Sequence, residues 1–448
     1  MIPISLLHHK FRQVLLGYTK SGTSGALLEF PVPGFQQGWF PVGFGHFRRW
    51  ADTYIHLAGI IALMEVPAGF FEDLSAVRQE FHSQPELSYM ETATALAVVA
   101  QLSLLSPSKI TCGIGGTGVV AEFSSGVEGP SVLFRAEMDA LAIQEINTFR
   151  HRSCKDCVSH KCGHDGHLAS VLGVARLVAL NPPKRGKVYV LFQPAEETGA
   201  GAEAMLTDPA FDAFKPDYVF AYHNVPGYPM GQVILRHGAV TASVRSLIIK
   251  LHGKTSHAAE PEHGFNPAPA IARLLLHFEE LSNNDINRSD FRVVTPVHIN
   301  MGEVAYGVSA GYGELHLTIR TWTEAEMLIL VDAMLSSVNT TAATYKLRPE
   351  TEWVEIFVAN ENEDSAVDIL LDSAQRSQCA HVFASHPMKW GEDFGRFTAK
   401  FRGAFFCIGA GVDSPALHNP DYDFPDEVLP TAVKMLSGVL LSPQLNMY

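Results

Sequence analysis

Cysteine is scarce in this chain, and so is charge. Six cysteines in 448 residues, at Cys112, Cys154, Cys157, Cys162, Cys379 and Cys407, are too few and too scattered for a disulfide framework. A reducing, cytoplasmic setting is the expectation. Only 18% of residues are charged, and Lys plus Arg number 33 against 47 for Asp plus Glu, a formal net charge of -14. Lacking a basic excess, the chain offers no electrostatic footprint for nucleic acid or an anionic membrane. Long apolar runs are missing too. The best membrane candidate, YIHLAGIIALMEVPAGFF, carries His56, Glu65 and Pro67 and is too short to cross comfortably, so no stable membrane insertion is expected. MIPISLLHHKFRQVLLGY lacks the uninterrupted apolar centre and small-residue cleavage site of a secretory signal. There is no internal repeat and no low-complexity tract of note.

What is present is apolar bulk. Hydrophobic residues make up 47%, enough for two cores, and 448 residues exceed what one core usually supports. Residues 1–65, with GYTKSGTSG and PVPGFQQGWFPVGFGHFRRW, show little periodicity and read as an extension of unknown role. From Phe70 the pattern is regular. FEDLSAVRQEFHSQPELSYMETATALAVVAQL predicts a helix, a break at Pro85 and a second helix. GTGVVAEF and SVLFRAEMDAL predict strands, as do KVYVLFQPAEE and DYVFAYHNV. Strands alternating with helices imply a largely parallel sheet, whose ligands gather at the carboxyl ends of the strands. Asp139, Glu196, Glu197 and His223 fall at such ends.

A second unit begins near Thr241. SVRSLIIKLHGKTSHAAEP alternates like an exposed strand, NPAPAIARLLLHFEELSN is an amphipathic helix, and RVVTPVHINMGEVAYG with GELHLTIRTW suggests paired strands before another helix. That succession suits a small antiparallel α+β domain with helices on one face. The expected division is a catalytic domain over residues 66–240 and 356–448, interrupted by the small domain over residues 241–355.

The densest chemistry lies in SHKCGHDGH, residues 159–167. His160, Cys162, His164, Asp165 and His167 are all good ligands for a borderline or soft divalent ion, set just before the helical run LASVLGVARLVAL. A thiolate, imidazoles and a carboxylate suit zinc, manganese or cobalt better than magnesium or calcium. The adjacent pair Glu196-Glu197, at a strand end, offers a division of labour: one carboxylate ligates metal while the other takes a proton from water. Cys154-x-x-Cys157 with His160 and Cys162 also has the spacing of a structural zinc knuckle, although Cys162 cannot easily serve two sites.

HSQPELSYME, GTGVVAEF, RAEMDALAIQE, CGHDGH, FQPAEE, HNVP, GKTSHAAEP, GEDF and ALHNPDYDFPDEVLP occur in that order. From about Phe70 onward the chain therefore resembles the amidohydrolase branch of the aminoacylase/carboxypeptidase metallohydrolases, which includes hippurate hydrolases and indole-acetyl-amino-acid hydrolases. The resemblance implies an α/β, mostly parallel-sheet di-metal hydrolase domain interrupted by a small ferredoxin-like dimerisation domain. It also implies hydrolysis of the amide bond of N-acyl amino acids, two divalent ions per subunit (zinc or manganese, with cobalt possible), and a homodimer. Carried over by position, Cys162, His164, Glu197, His223 and His418 match the metal ligands, and Glu196 matches the general base. His257 matches a histidine that steadies the oxyanion across the dimer, and Arg320 an arginine for the substrate carboxylate. Two stretches depart from the pattern: the usual Asp-Met-Asp is Glu137-Met138-Asp139 with Ala142 in place of a proline, and the usual Asn-x-Ile-Pro stretch reads AYGVSAG. A catalytically silent metal-binding or scaffold protein on the same fold is the competing expectation.

Overall fold

Buried strands organise the larger part of the protein. The computed structural model describes residues 66–448, and the extension expected over residues 1–65 lies outside them. Helices α1 (Phe70–Ser83) and α2 (Thr92–Ser103) flank the break at Pro85. Strands β1 (Lys109–Ile114), β2 (Gly118–Ser124) and β3 (Ser131–Glu137) follow, then α3 (His164–Leu180), β4 (Lys187–Gln193), α4 (Gly201–Thr207), β5 (Tyr218–Val225) and β6 (Val233–Leu235). The inserted unit holds β7 (Ser243–His252), α5 (Ala268–Leu281), β8 (Arg292–Met301), β9 (Tyr312–Thr321), α6 (Glu324–Thr344) and β10 (Arg348–Phe357). The chain then returns through α7 (Asp364–Arg376), β11 (His381–Phe383), α8 (Gly395–Lys400), β12 (Arg402–Gly409) and α9 (Leu429–Leu440).

The large sheet has the order β1-β2-β4-β3-β5-β12-β6-β11. Its centre is parallel, from β4 through β3 and β5 to β12, while β1 and β2 run antiparallel at one edge. Every residue of β3 is buried, as expected of a strand covered on both faces. One face packs on α1, α3, α7 and α9 through Leu74, Leu172, Ile369 and Val433, and the other on α4 and α8 through Met205 and Phe397. This is the mixed α/β architecture with a mostly parallel sheet that the sequence predicts.

The inserted sheet has the order β8-β9-β7-β10, all antiparallel. With helices after its first and third strands, it is a split βαβ pattern of the ferredoxin-like kind. Alternation along β7 sends Leu247, Ile249 and Leu251 to one face, where α5 (Leu274, Phe278) and α6 (Leu330, Met334) cover them. Thr323 caps α6 by accepting from the Glu326 N–H. The periodicity does not foretell β1, β6, β10 or β11. β10 reads RPETEWVEIF, and proline with alternating charge is what an edge strand tolerates.

Candidate metal centre

Three turns in left-handed backbone bring the candidate ligands together. Gly163, at φ +98°, separates Cys162 from the first residue of α3, His164; a Cβ there would meet Asn224 Oδ1 at 2.3 Å, so only glycine fits. Ala195, at φ +51°, precedes Glu196, and its N–H is held by Glu91 Oε1 at 2.8 Å. His418 itself sits at φ +66°, its N–H donating to Lys161 O at 2.8 Å. Residues with a Cβ adopt this region at a cost of roughly 1–3 kcal/mol, which the surroundings must offset, and such strain concentrates at functional sites.

Cys162 is the hub. Its Sγ lies 3.3 Å from His223 Nε2 and 3.4 Å from His418 Nε2. His418 Nε2 is 3.8 Å from Glu197 Oε2, and Glu197 Oε1 is 3.8 Å from His164 Nε2. Cys162, His164 and His223 form one group with donor atoms within 4.8 Å of one another, and Cys162, Glu197 and His418 form a second. All five positions matched as ligands therefore converge, in two triplets that share the thiol. Glu196 stands beside them, with Oε2 3.7 Å from His164 Nε2.

The ring tautomers follow from the partners. His164 Nδ1 faces the Asp139 carbonyl oxygen at 2.9 Å, and His223 Nδ1 faces the Asn224 carbonyl oxygen at 2.7 Å. A carbonyl only accepts, so both Nδ1 atoms carry the proton and neutral Nε2 turns a lone pair toward the hub. Among the described residues, His164 Nε2, Glu197 Oε1 and Asp139 Oδ1 are buried with no hydrogen-bond partner. A buried polar atom left unpaired costs about 1–3 kcal/mol, and a cation between these atoms would remove that cost. The donor set and the orphaned atoms thus fit divalent metal.

The electrostatics agree. Burial, then Glu392, Glu197 and Asp393, pushes Glu196 well above the usual carboxylate range. Burial also raises Glu197, to about 7, and the Cys162 thiol goes up through burial and the neighbouring Glu197 and Glu196. His223 is held well down by burial and by His167. For His164, burial opposes charge, but Asp139, Glu137 and Glu197 prevail and lift it to about 10. The pocket carries more negative potential than its own side chains neutralise.

Other residues of the SHKCGHDGH cluster serve different contacts. His167 lies between Glu137 Oε2 (2.8 Å) and Asn224 Oδ1 (2.6 Å), and Asp165 accepts from His82 (2.9 Å). Both ring nitrogens of His160 are buried without partners among the described residues. Cys154 and Cys157 are exposed whereas Cys162 and His160 are buried, a split that does not suit a shared zinc knuckle. His257 is also exposed, in a short pairing of Ser256–His257 with Val308–Ser309, and does not join the cluster within one chain. Arg320 donates to Lys389 O at 2.8 Å, next to Trp390, whose ring lies 5.2 Å from that of His223; among the described residues it makes no salt bridge. Two supports escape sequence reasoning. Glu91 holds the Ala195 turn, and the wholly buried Arg135 binds Glu137, Glu392 (2.8 Å), Asp393 (2.7 Å) and Gln193 (2.9 Å) behind Glu196. Only the GEDF motif hints at the latter.

The chain is similar over most of its length to several known proteins. N-acetyldiaminopimelate deacetylase of Bacillus licheniformis is 28% identical over 372 residues, which cover 83% of this chain and 98% of that protein. Hippurate hydrolase of Campylobacter jejuni is 28% identical over 373 residues, covering 82% and 96%. Among solved structures, the YXEP protein of Bacillus subtilis, described as a dinuclear metal binding peptidase from the M20 family, superposes with a TM-score of 0.73 at 27% identity, covering 85% of this chain and all of that one. The description of peptidase family M20/M25/M40 matches residues 133–442, from β3 through the inserted sheet into the loop after α9. A match that runs through both halves of the large sheet and the insertion between them assigns the fold and the family: the chain belongs to peptidase family M20/M25/M40, in its amidohydrolase branch.

Proposed function

We propose that the protein is a metal-dependent amidohydrolase that cleaves the amide bond of N-acyl amino acids or related small peptides. The observation that carries this is the pair of triplets sharing Cys162, with orphaned His164 Nε2 and Glu197 Oε1 aimed into the space between them. Cys162, His164 and His223 would hold one divalent ion, and Cys162, Glu197 and His418 a second. Zinc or manganese suits the set, with cobalt able to substitute. Bound there, the ions supply Lewis acidity toward the scissile carbonyl and acidify a water molecule.

Glu196 is the general base. A carboxylate held up by burial and by neighbouring carboxylates has the affinity to take a proton from water and return it to the leaving amine. Arg320, which makes no salt bridge among the described residues, is the candidate for the substrate carboxylate. His257 completes the site from a second subunit. Among the described residues β8 pairs only with β9, and Val297, Ile299 and Met301 stand exposed along it, 65% exposed in the case of Val297. An open apolar edge of this kind is suited to pairing with a second copy of itself in a homodimer. The names of the relatives, deacetylases and a hippurate hydrolase, support the substrate class. The direct test is an activity panel of N-acetyl, N-benzoyl and indole-acetyl amino acids on protein reconstituted with zinc or manganese. Amide hydrolysis that a chelator abolishes is the expected result. Stoichiometric metal uptake with no turnover on any substrate would favour a silent metal-binding protein instead.

A further inference from the structure

Lys161 immediately precedes Cys162 and is wholly buried. A lysine ammonium tolerates such a place only when it is paired and hydrogen-bonded. It bonds Glu145 Oε1 at 2.6 Å and, 261 residues along the chain, the Tyr422 carbonyl oxygen at 2.7 Å. The Lys161 carbonyl in turn accepts from the His418 N–H at 2.8 Å. One residue thus grips the His418–Tyr422 loop at both ends. His418 needs such a grip. Its side chain is 52% exposed, so packing does little to fix it, and its backbone is left-handed at φ +66°. The loop's middle is tied to the same assembly, since the Ile146 N–H donates to Pro420 O at 3.2 Å and Asn147 Nδ2 to Asp421 O at 3.1 Å, beside the Glu145 that Lys161 holds. By contrast, the triplet of Cys162, His164 and His223 draws on α3 and β5 and needs none of these contacts.

We propose that Lys161 is a positioning residue whose buried ammonium seats the His418 loop and so builds one of the two metal sites, the one made by Cys162, Glu197 and His418, and not the other. The inference rests on the two-metal function proposed above. Its consequence is asymmetric. Lys161→Met keeps the volume and the main-chain carbonyl but frees the Tyr422 end of the loop. Glu145 retains His82 Nε2 (3.1 Å) and the Ser153 N–H (2.6 Å), so the fold keeps most of its local bonds.

The test is stepwise metal binding by the full chain. Protein stripped by a chelator is titrated with Co²⁺, and binding is followed by calorimetry and by visible and thiolate charge-transfer absorption. In Lys161→Met the first ion should bind with near-native affinity while the second binds about tenfold or more weakly, the range for losing a partner that orients a ligand. His418→Ala should show the same selective loss. The double variant should be no weaker at the second site than His418→Ala alone, because the two changes remove the same support. If Lys161→Met does not fold, Glu145→Gln, which removes the ammonium's charged partner at constant shape, should give the same pattern. Two ions bound with native affinity in a folded Lys161→Met or Glu145→Gln protein would overturn the proposal. So would equal weakening of both sites, the mark of a general structural role. A native chain that binds fewer than two ions fails the two-metal function itself, and its titration distinguishes that outcome from failure at Lys161.

Discussion

Glu196→Gln should have two opposite effects in one protein. Glutamine keeps the shape of the side chain and removes the charge. Neither Cys162-centred triplet includes Glu196, so both ions should remain at native stoichiometry. Turnover should fall by roughly a thousandfold or more, the usual range for losing a general base, which is about 4 kcal/mol of transition-state stabilisation. The metal-free protein, however, should become more stable. Glu196 is buried beside Glu197, Glu392 and Asp393, and its affinity for protons is raised well above normal. A carboxyl group whose folded pKa lies above its unfolded one destabilises the fold at any pH above the unfolded value, by up to about 1.4 kcal/mol for each pKa unit of difference. Replacing it with a neutral isostere removes that penalty at neutral pH. The assay pairs kcat/KM on metal-loaded protein, with metal content measured on the same sample, and thermal unfolding of the stripped form. Near-native rates in a fully loaded Glu196→Gln protein would remove Glu196 from its role. A drop in the stripped protein's Tm would refute the electrostatic account even if activity were lost.

Cys162→Ser should lose metal rather than only activity, because a neutral hydroxyl cannot replace a thiolate shared by two triplets; retained stoichiometry in elemental analysis would count against the hub. Metal affinity should rise steeply with pH between about 6 and 8, with protons released on binding, since burial holds Glu197 at about 7 and raises Cys162, and both ligate ionised; a flat calorimetric profile would contradict this. His82 is lifted to about 9 by Asp165 and Glu145 against the opposing effect of burial, so its stabilising contribution is complete below its unfolded value near 6.5 and is lost as pH climbs through 9. The metal-free Tm should accordingly fall from pH 7 to 9, and His82→Asn should flatten that slope. Mixing His257→Ala with Glu196→Gln subunits should restore part of the activity if the two act in trans, since one site in the mixed dimer then holds neither defect; no recovery despite confirmed mixed dimers would exclude a shared site.

What the sequence displays of this site is whatever the chain keeps contiguous. CGHDGH places Cys162 and His164 two residues apart on one turn, and FQPAEE sets Glu196 and Glu197 at the end of a buried strand, so type and spacing suffice to find them. Contiguity also misleads. His160, Asp165 and His167 share the nonapeptide, yet the helix that begins at His164 turns two of them toward other partners: His167 to Glu137 and Asn224, Asp165 to His82 and Arg78. Contacts that need the finished sheet leave no local trace. Arg135 reaches Glu392 and Asp393 across 257 and 258 residues, and Lys161 reaches Tyr422 across 261. The missed strands have a similar cause. β10 is an edge whose charges and proline suit solvent, and the three-residue strands β6 and β11 owe their form to neighbours rather than to their own periodicity.

Charge then explains why so many unfavourable features meet at one place. Glu137, Glu196, Glu392 and Asp393 are buried around a single guanidinium, Arg135, with Glu197 and the Cys162 thiol close by. Arg135 neutralises one negative charge, leaving an excess that a protein selected for stability alone would replace with apolar side chains. Divalent cations would supply positive charge where the orphaned His164 Nε2 and Glu197 Oε1 lie. The strained backbone at Ala195 and His418 belongs to the same account, since each strained residue carries or adjoins a group aimed at that space. The large sheet is the rigid support that tolerates this local cost. Its β3, β4, β5 and β12 strands are buried almost throughout, so the energy stored at their carboxyl ends is small beside the apolar area that fixes them. Removing the ions should therefore loosen the loops of Cys162, Glu196 and His418 before it loosens the sheet, and hydrogen exchange of stripped protein should show that order.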